Sequence, residues 1–152
     1  MDGDAIHWCE RYLDRGRFAR IDPEPPMQYP PGYFDVIYCF SVFTHLNEHM
    51  QNLWLLDLKR VLKPGGILLL TVHSERTATN HLKDYEIEEL KGSGLIHKTT
   101  RKLSGIVPDW YNTTWHSRQY IVTLLQSLFQ DVHYTVVPDG AQDLVLARAP
   151  KA

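Results

Sequence analysis

The chain has 152 residues, 43% hydrophobic and 22% charged, with a formal net charge of −2, the balance of one water-soluble globular domain. No apolar run is long enough to span a bilayer, and no basic start followed by an apolar run marks a secretory signal, so a cytoplasmic protein with no membrane partner is expected. Lys and Arg are scattered rather than gathered into a stripe, which argues against a nucleic-acid partner. The two cysteines, Cys9 and Cys39, form neither a disulfide framework nor a zinc pattern and are expected reduced.

Taken in order, Asp4 to Asp14 reads as a helix with Ile6, Cys9 and Leu13 on one face and Gly16 behind it. Arg17 to Ile21 is a short strand candidate. Asp22-Pro23-Glu24-Pro25-Pro26 then forces an extended loop, because each proline restricts the residue before it.

Tyr33 to Ser74 reads as a strand–helix–strand unit. Its two strands are nearly continuous apolar runs, as in parallel strands buried on both faces. Between them Asn47 caps a helix, Glu48 sits in its first turn, and Lys59, Arg60 and Lys63 load the C-terminal end, where cations suit the dipole. Pro64-Gly65-Gly66 ends it. Leu46, Met50, Leu53, Trp54, Leu58, Val61 and Leu62 give the helix a broad apolar stripe, leaving Gln51, Asp57 and Lys59 for solvent. A right-handed crossover is expected. Ligands of such sheets bind beyond the carboxyl ends of the strands, which directs attention to Cys39–His45 and Val72–Glu75.

After Ser74, His81 to Lys91 reads as an amphipathic helix closed by Gly92-Ser93-Gly94. Leu95 to Trp115 has no clear period. Ser117 caps a helix whose Ile121, Leu124, Leu125 and Leu128 follow the i, i+3, i+4, i+7 rule. Asp131–Val137 and Gln142–Arg148 are strands joined by Pro138-Asp139-Gly140-Ala141, an antiparallel connection.

The strand Tyr33-Phe34-Asp35-Val36-Ile37-Tyr38, its exit Phe40-Ser41-Val42-Phe43-Thr44-His45-Leu46 and the turn Arg60-Val61-Leu62-Lys63-Pro64-Gly65-Gly66 resemble the second half of a class I S-adenosylmethionine-dependent methyltransferase. The resemblance implies a three-layer, Rossmann-like α/β sheet, mostly parallel with a C-terminal antiparallel hairpin, here a single partial domain over 1–152. The family's Gly-rich cofactor loop has no counterpart, and the first strand–helix–strand segment is expected to be absent.

The resemblance implies methyl transfer from S-adenosylmethionine to a small-molecule or saccharide-like acceptor. Its cofactor contacts would be Asp22, Pro23, Phe40, Ser41 and His45, with Asp22 offering a carboxylate to the adenine amino group. The stretch between the fifth strand and the last helix often forms the family's substrate lid, which makes Trp110 and Tyr111 acceptor-side candidates. An oxygen or nitrogen acceptor benefits from a base, and histidine has the suitable unperturbed pKa; His116 and then His73 are the candidates.

Two other readings stand beside this one. His45-Leu46-Asn47-Glu48-His49 spells the inverted zinc-peptidase signature, although it follows a buried parallel strand and lacks a nameable third ligand; no metal is expected. With its first strand missing, the sheet would expose the edge of Phe34–Phe40, inviting a homodimer and a non-catalytic role through association.

Overall fold

The computed structural model describes residues 3–99, 112–138 and 140–151. In chain order the elements are α1 (Gly3–Tyr12), β1 (Phe34–Cys39), α2 (Glu48–Val61), β2 (Leu62–Ser74), α3 (Glu75–Ala78), α4 (Asp84–Ser93), β3 (Leu95–Thr99), β4 (Asn112–His116), α5 (Arg118–Gln126), β5 (Gln130–Thr135) and β6 (Asp143–Arg148).

β1, α2 and β2 form the expected unit. β1 pairs in parallel with β2, Val36 opposite Ile67 and Cys39 opposite Leu70. Asn47 starts α2 by accepting from the Met50 amide at 2.9 Å. The helix stops where Leu62 turns extended, and β2 begins there. Pro64-Gly65-Gly66 therefore lies within the extended stretch rather than ahead of it. A Cβ on Gly66 would sit 2.9 Å from the Lys63 carbonyl oxygen and 3.1 Å from that of Asp35, so glycine lets the two strands close on each other there.

β2 is the centre of a six-stranded sheet: β1 and β4 share one of its edges, β6 takes the other, and β3 and β5 flank outside. The pairings β1–β2 and β2–β4 are parallel, while β2–β6, β3–β4 and β5–β6 are antiparallel. The sheet is thus mixed and mainly antiparallel, not mostly parallel. The difference comes from Leu95–Trp115, expected as irregular chain, whose ends pair as a β3–β4 hairpin with Ile96 opposite Trp115. The candidate strand Arg17–Ile21 is irregular chain instead.

The main core lies on one sheet face. There Leu55 and Leu58 of α2 and Ile121 and Leu125 of α5 meet Leu68, Leu70, Val72, Val145 and Ala147. Removing a wholly buried leucine from this cluster would cost roughly 2–5 kcal/mol. A second cluster, Ala78, Leu82, Leu90, Ile96 and Trp115, sits under α3 and α4 beside the β3–β4 hairpin.

The three-layer expectation holds only in part. In β1, Ile37 and Cys39 pack on the core, whereas Val36, Tyr38 and Phe40 keep 49%, 70% and 57% of their surface exposed. Alternation explains the split: successive side chains leave opposite faces of a strand, and among the described residues nothing covers the second face of β1. α1 also buries none of its residues, so its expected apolar face is not docked. The two cysteines are unpaired.

Candidate active site

The carboxyl ends of β1 and β2 lie side by side because the strands are parallel, and the candidate residues that follow them share one end of the sheet. Ser41, just past β1, is held in the left-handed region at φ 56°. Such a conformation is unfavourable for a residue with a Cβ and persists where surroundings impose it. Here they do. The Ser41 amide donates to Thr71 Oγ1 at 2.9 Å, Gln142 Nε2 donates to Ser41 Oγ at 2.8 Å, and the Thr71 hydroxyl bonds to Gln142 Oε1. Thr71 on β2 and Gln142 ahead of β6 thereby lock the turn leaving β1. Phe40 lies beside it, its ring 5.4 Å from Tyr38.

His45 stands at the far end of the same turn. Its Nδ1 lies 2.7 Å from the Asn112 carbonyl oxygen, an acceptor only, so Nδ1 carries the proton and donates. The Thr114 amide and hydroxyl donate to Thr44 and Leu46 carbonyls, each at 2.8 Å, so β4 is stitched to the turn along its length.

His73, at the end of β2, is half-buried and lies across from Trp115 of β4, ring centres 5.9 Å apart. His81 flanks the same indole at 6.2 Å. Burial pulls the His73 pKa below the ordinary histidine value, and the neighbouring His45 and His81 pull it the same way, against a bond to the Thr114 backbone. The imidazole is therefore neutral near pH 7.

His116 has a different setting. It is wholly buried, its Nε2 is 3.0 Å from Gln51 Oε1, and its Nδ1 has no partner. Burial, with His73 adding, pushes its pKa down to about 3. Trp110 and Tyr111 lie outside the described residues.

Asp22 and Pro23 belong to a separate place. Both are exposed, and the Trp54 indole donates to the Pro23 carbonyl at 3.3 Å, which ties this loop to the flank of α2.

Two side chains assigned to solvent prove to be buried: Gln51 at 0% and Asp57 at 6% exposure. Gln51 falls on the same stripe as Leu55, Leu58 and Leu62 by helical spacing, and only its polar type hid it. Thr71 and Gln142 had no local signal, since their partners are 30 and 71 residues distant.

The zinc reading gains no geometry. Glu48 accepts from the Tyr120 hydroxyl at 2.7 Å and His45 spends Nδ1 on Asn112. Among the described residues no group of three or more His, Cys, Asp or Glu is placed to hold a metal ion, and no helix is long and apolar enough to cross a membrane.

Residues 4–70 match the family described as a methyltransferase domain. The fold is that of a SAM-dependent methyltransferase from Methanosarcina mazei, with 15% identity, TM-score 0.66, and 99% of this chain matched to 80% of that one. A 1,6-didemethyltoxoflavin-N1-methyltransferase from Burkholderia thailandensis, solved with 1,6-didemethyltoxoflavin and S-adenosylhomocysteine, matches at 14% identity and TM-score 0.59, over 99% of this chain and 58% of that one. The N-methyltransferase NodS from Bradyrhizobium japonicum, solved with S-adenosylhomocysteine, matches at 14% identity and TM-score 0.54, over 94% and 60%.

Proposed function

We propose that this chain, whose residues 4–70 match a methyltransferase-domain family and whose fold is shared with solved SAM-dependent methyltransferases, serves class I methyl transfer from S-adenosylmethionine to a small-molecule or saccharide-like acceptor. The observation carrying this reading is the convergence of Ser41, His45, Thr71 and His73 at the paired carboxyl ends of β1 and β2, where open α/β sheets place their ligands.

The residues present suit part of the cofactor. Phe40 offers an exposed ring against which a purine can stack. Asp22 and Pro23 are the remaining candidates on the adenine side. His45 forms the wall at the end of the turn. The cofactor, when bound, supplies an electrophilic methyl group on a sulfonium.

The chain's own contribution is orientation and proton handling. The Ser41 turn, braced by Thr71 and Gln142, costs no reorganisation at the moment of reaction. His73, neutral near pH 7, accepts the proton that an oxygen or nitrogen acceptor gives up as its bond to the methyl carbon forms. We assign this role to His73 rather than His116, because His116 is wholly buried and faces Gln51. Trp110 and Tyr111 are proposed to meet the acceptor. Calorimetric titration with S-adenosylhomocysteine tests the reading: saturable binding, weakened when Phe40 is replaced by alanine, supports it, and the absence of heat at millimolar ligand refutes it for this chain.

A second reading, association without catalysis, is favoured by one observation. Among the described residues β1 pairs with β2 alone, and its second face, continued by Phe40, exposes Val36, Tyr38 and Phe40. Natural edge strands are guarded by charges, prolines or bulges, and β1 has such guarding only at Asp35, where the register slips and Lys63 pairs with the carboxylate. A homodimer through this edge is the corresponding proposal.

A further inference from the structure

We infer that Gln51 is a positioning residue, one amide that both fixes which ring nitrogen of His116 carries the proton and braces the turn at Phe43–Leu46 leading out of β1. The inference deepens the function proposed above and rests on it only for its effect on cofactor.

The argument runs through the amide's own chemistry. Gln51 Nε2 lies 2.9 Å from the Leu46 carbonyl oxygen and 3.4 Å from that of Phe43. Carbonyl oxygens only accept, so the amide nitrogen must face them and the amide oxygen must face His116 Nε2 at 3.0 Å. An oxygen there also only accepts. His116 Nε2 must therefore be the protonated nitrogen, and Nδ1 is left as a bare acceptor, in agreement with its lack of a partner. Turning the amide over would set its oxygen against two carbonyl oxygens, a buried repulsion with no compensation.

The backbone of the helix makes the placement rigid. Gln51 donates its own amide to the Asn47 carbonyl at 2.9 Å, one turn after the N-cap, and its side chain is wholly buried. The Leu46 carbonyl takes a second bond from Thr114 Oγ1 at 2.8 Å, so α2 and β4 hold the same atom from two sides. His45, next to that carbonyl, is fixed in the opposite tautomer by Asn112. The two histidines thus present different nitrogens, each chosen by a carbonyl or amide oxygen beyond the ring.

The test reads ring protons directly. Long-range proton–nitrogen correlation spectra of the nitrogen-labelled chain at neutral pH should show His116 as the Nε2–H form and His45 as the Nδ1–H form. Gln51→Met keeps the volume and removes all three bonds; His116 should then become a mixture of tautomers, and S-adenosylhomocysteine should bind on the order of tenfold more weakly, about 1.4 kcal/mol. A wild-type His116 in the Nδ1–H form overturns the inference, as does a Gln51→Met spectrum unchanged at His116. If the wild-type chain binds no S-adenosylhomocysteine, the functional proposal fails while the spectra still decide the tautomer.

Discussion

Asp57 and Arg60, three residues apart on α2, form an ion pair at 2.7 Å in which the carboxylate is 6% and the guanidinium 33% exposed. The pair reaches beyond its own helix. Asp57 Oδ2 accepts from the Met27 amide at 2.7 Å, and Arg60 donates to the Tyr29 and Met27 carbonyls at 2.7 and 3.0 Å. With the Gly32 amide on the Arg60 carbonyl and the Tyr33 amide on that of Val61, the chain entering β1 is clamped to the C-terminal half of α2.

Breaking that clamp should be costly, because deleting one member of a buried pair strands the other. Asp57→Ala is expected to lower unfolding stability by about 3 kcal/mol. Urea unfolding of variant and wild type would measure this as a drop in midpoint at unchanged slope. A loss below about 0.5 kcal/mol, the level of an exposed pair, would contradict the clamp.

Acid should weaken the fold through His116. Its native pKa lies near 3, below the value of an unfolded histidine, so the unfolded chain binds the proton and the native one does not. The stability is complete above about pH 6.5 and falls by about 1.4 kcal/mol for each unit below it, until the native pKa is reached. His73 is shifted in the same direction and adds to the trend. His116→Gln, whose amide nitrogen stands in for Nε2 and can still donate to Gln51, should flatten the decline in urea midpoint between pH 7 and about pH 5.

Catalysis should depend on His73. In a methyl-transfer assay with an oxygen or nitrogen acceptor, His73→Ala should reduce kcat by about 10²- to 10⁴-fold, the usual contribution of a general base. The affinity for S-adenosylhomocysteine should stay within about twofold, since the role proposed for the residue concerns the acceptor's proton and not the cofactor. Equal loss of binding and turnover would assign His73 to the fold instead.

Association should depend on Tyr38. Light scattering of the wild-type chain over a rising concentration series is expected to show a dimer, and Tyr38→Lys a monomer of unchanged thermal midpoint, because that side chain is already 70% exposed. A wild-type chain that stays monomeric throughout removes the edge-pairing proposal.

The sequence alone was enough for the β1–α2–β2 unit, the α5 helix and the closing β5–β6 hairpin. Each is written in local signals: apolar runs of strand length, an asparagine or serine cap, a helical stripe, a proline–glycine turn. The methyltransferase resemblance came from the same stretch, and residues 4–70 carry the family match. The tertiary structure alone decided the direction of most strand pairs, since β3 and β4 find each other across Thr100–Tyr111 through contacts no local pattern encodes. It alone buried Gln51 and Asp57, polar residues whose partners are a histidine 65 residues away and an amide 30 residues away. It also set the two candidate bases in different surroundings, His116 wholly buried against Gln51 and His73 half-buried beside Trp115, and surroundings rather than residue type shift a histidine's pKa.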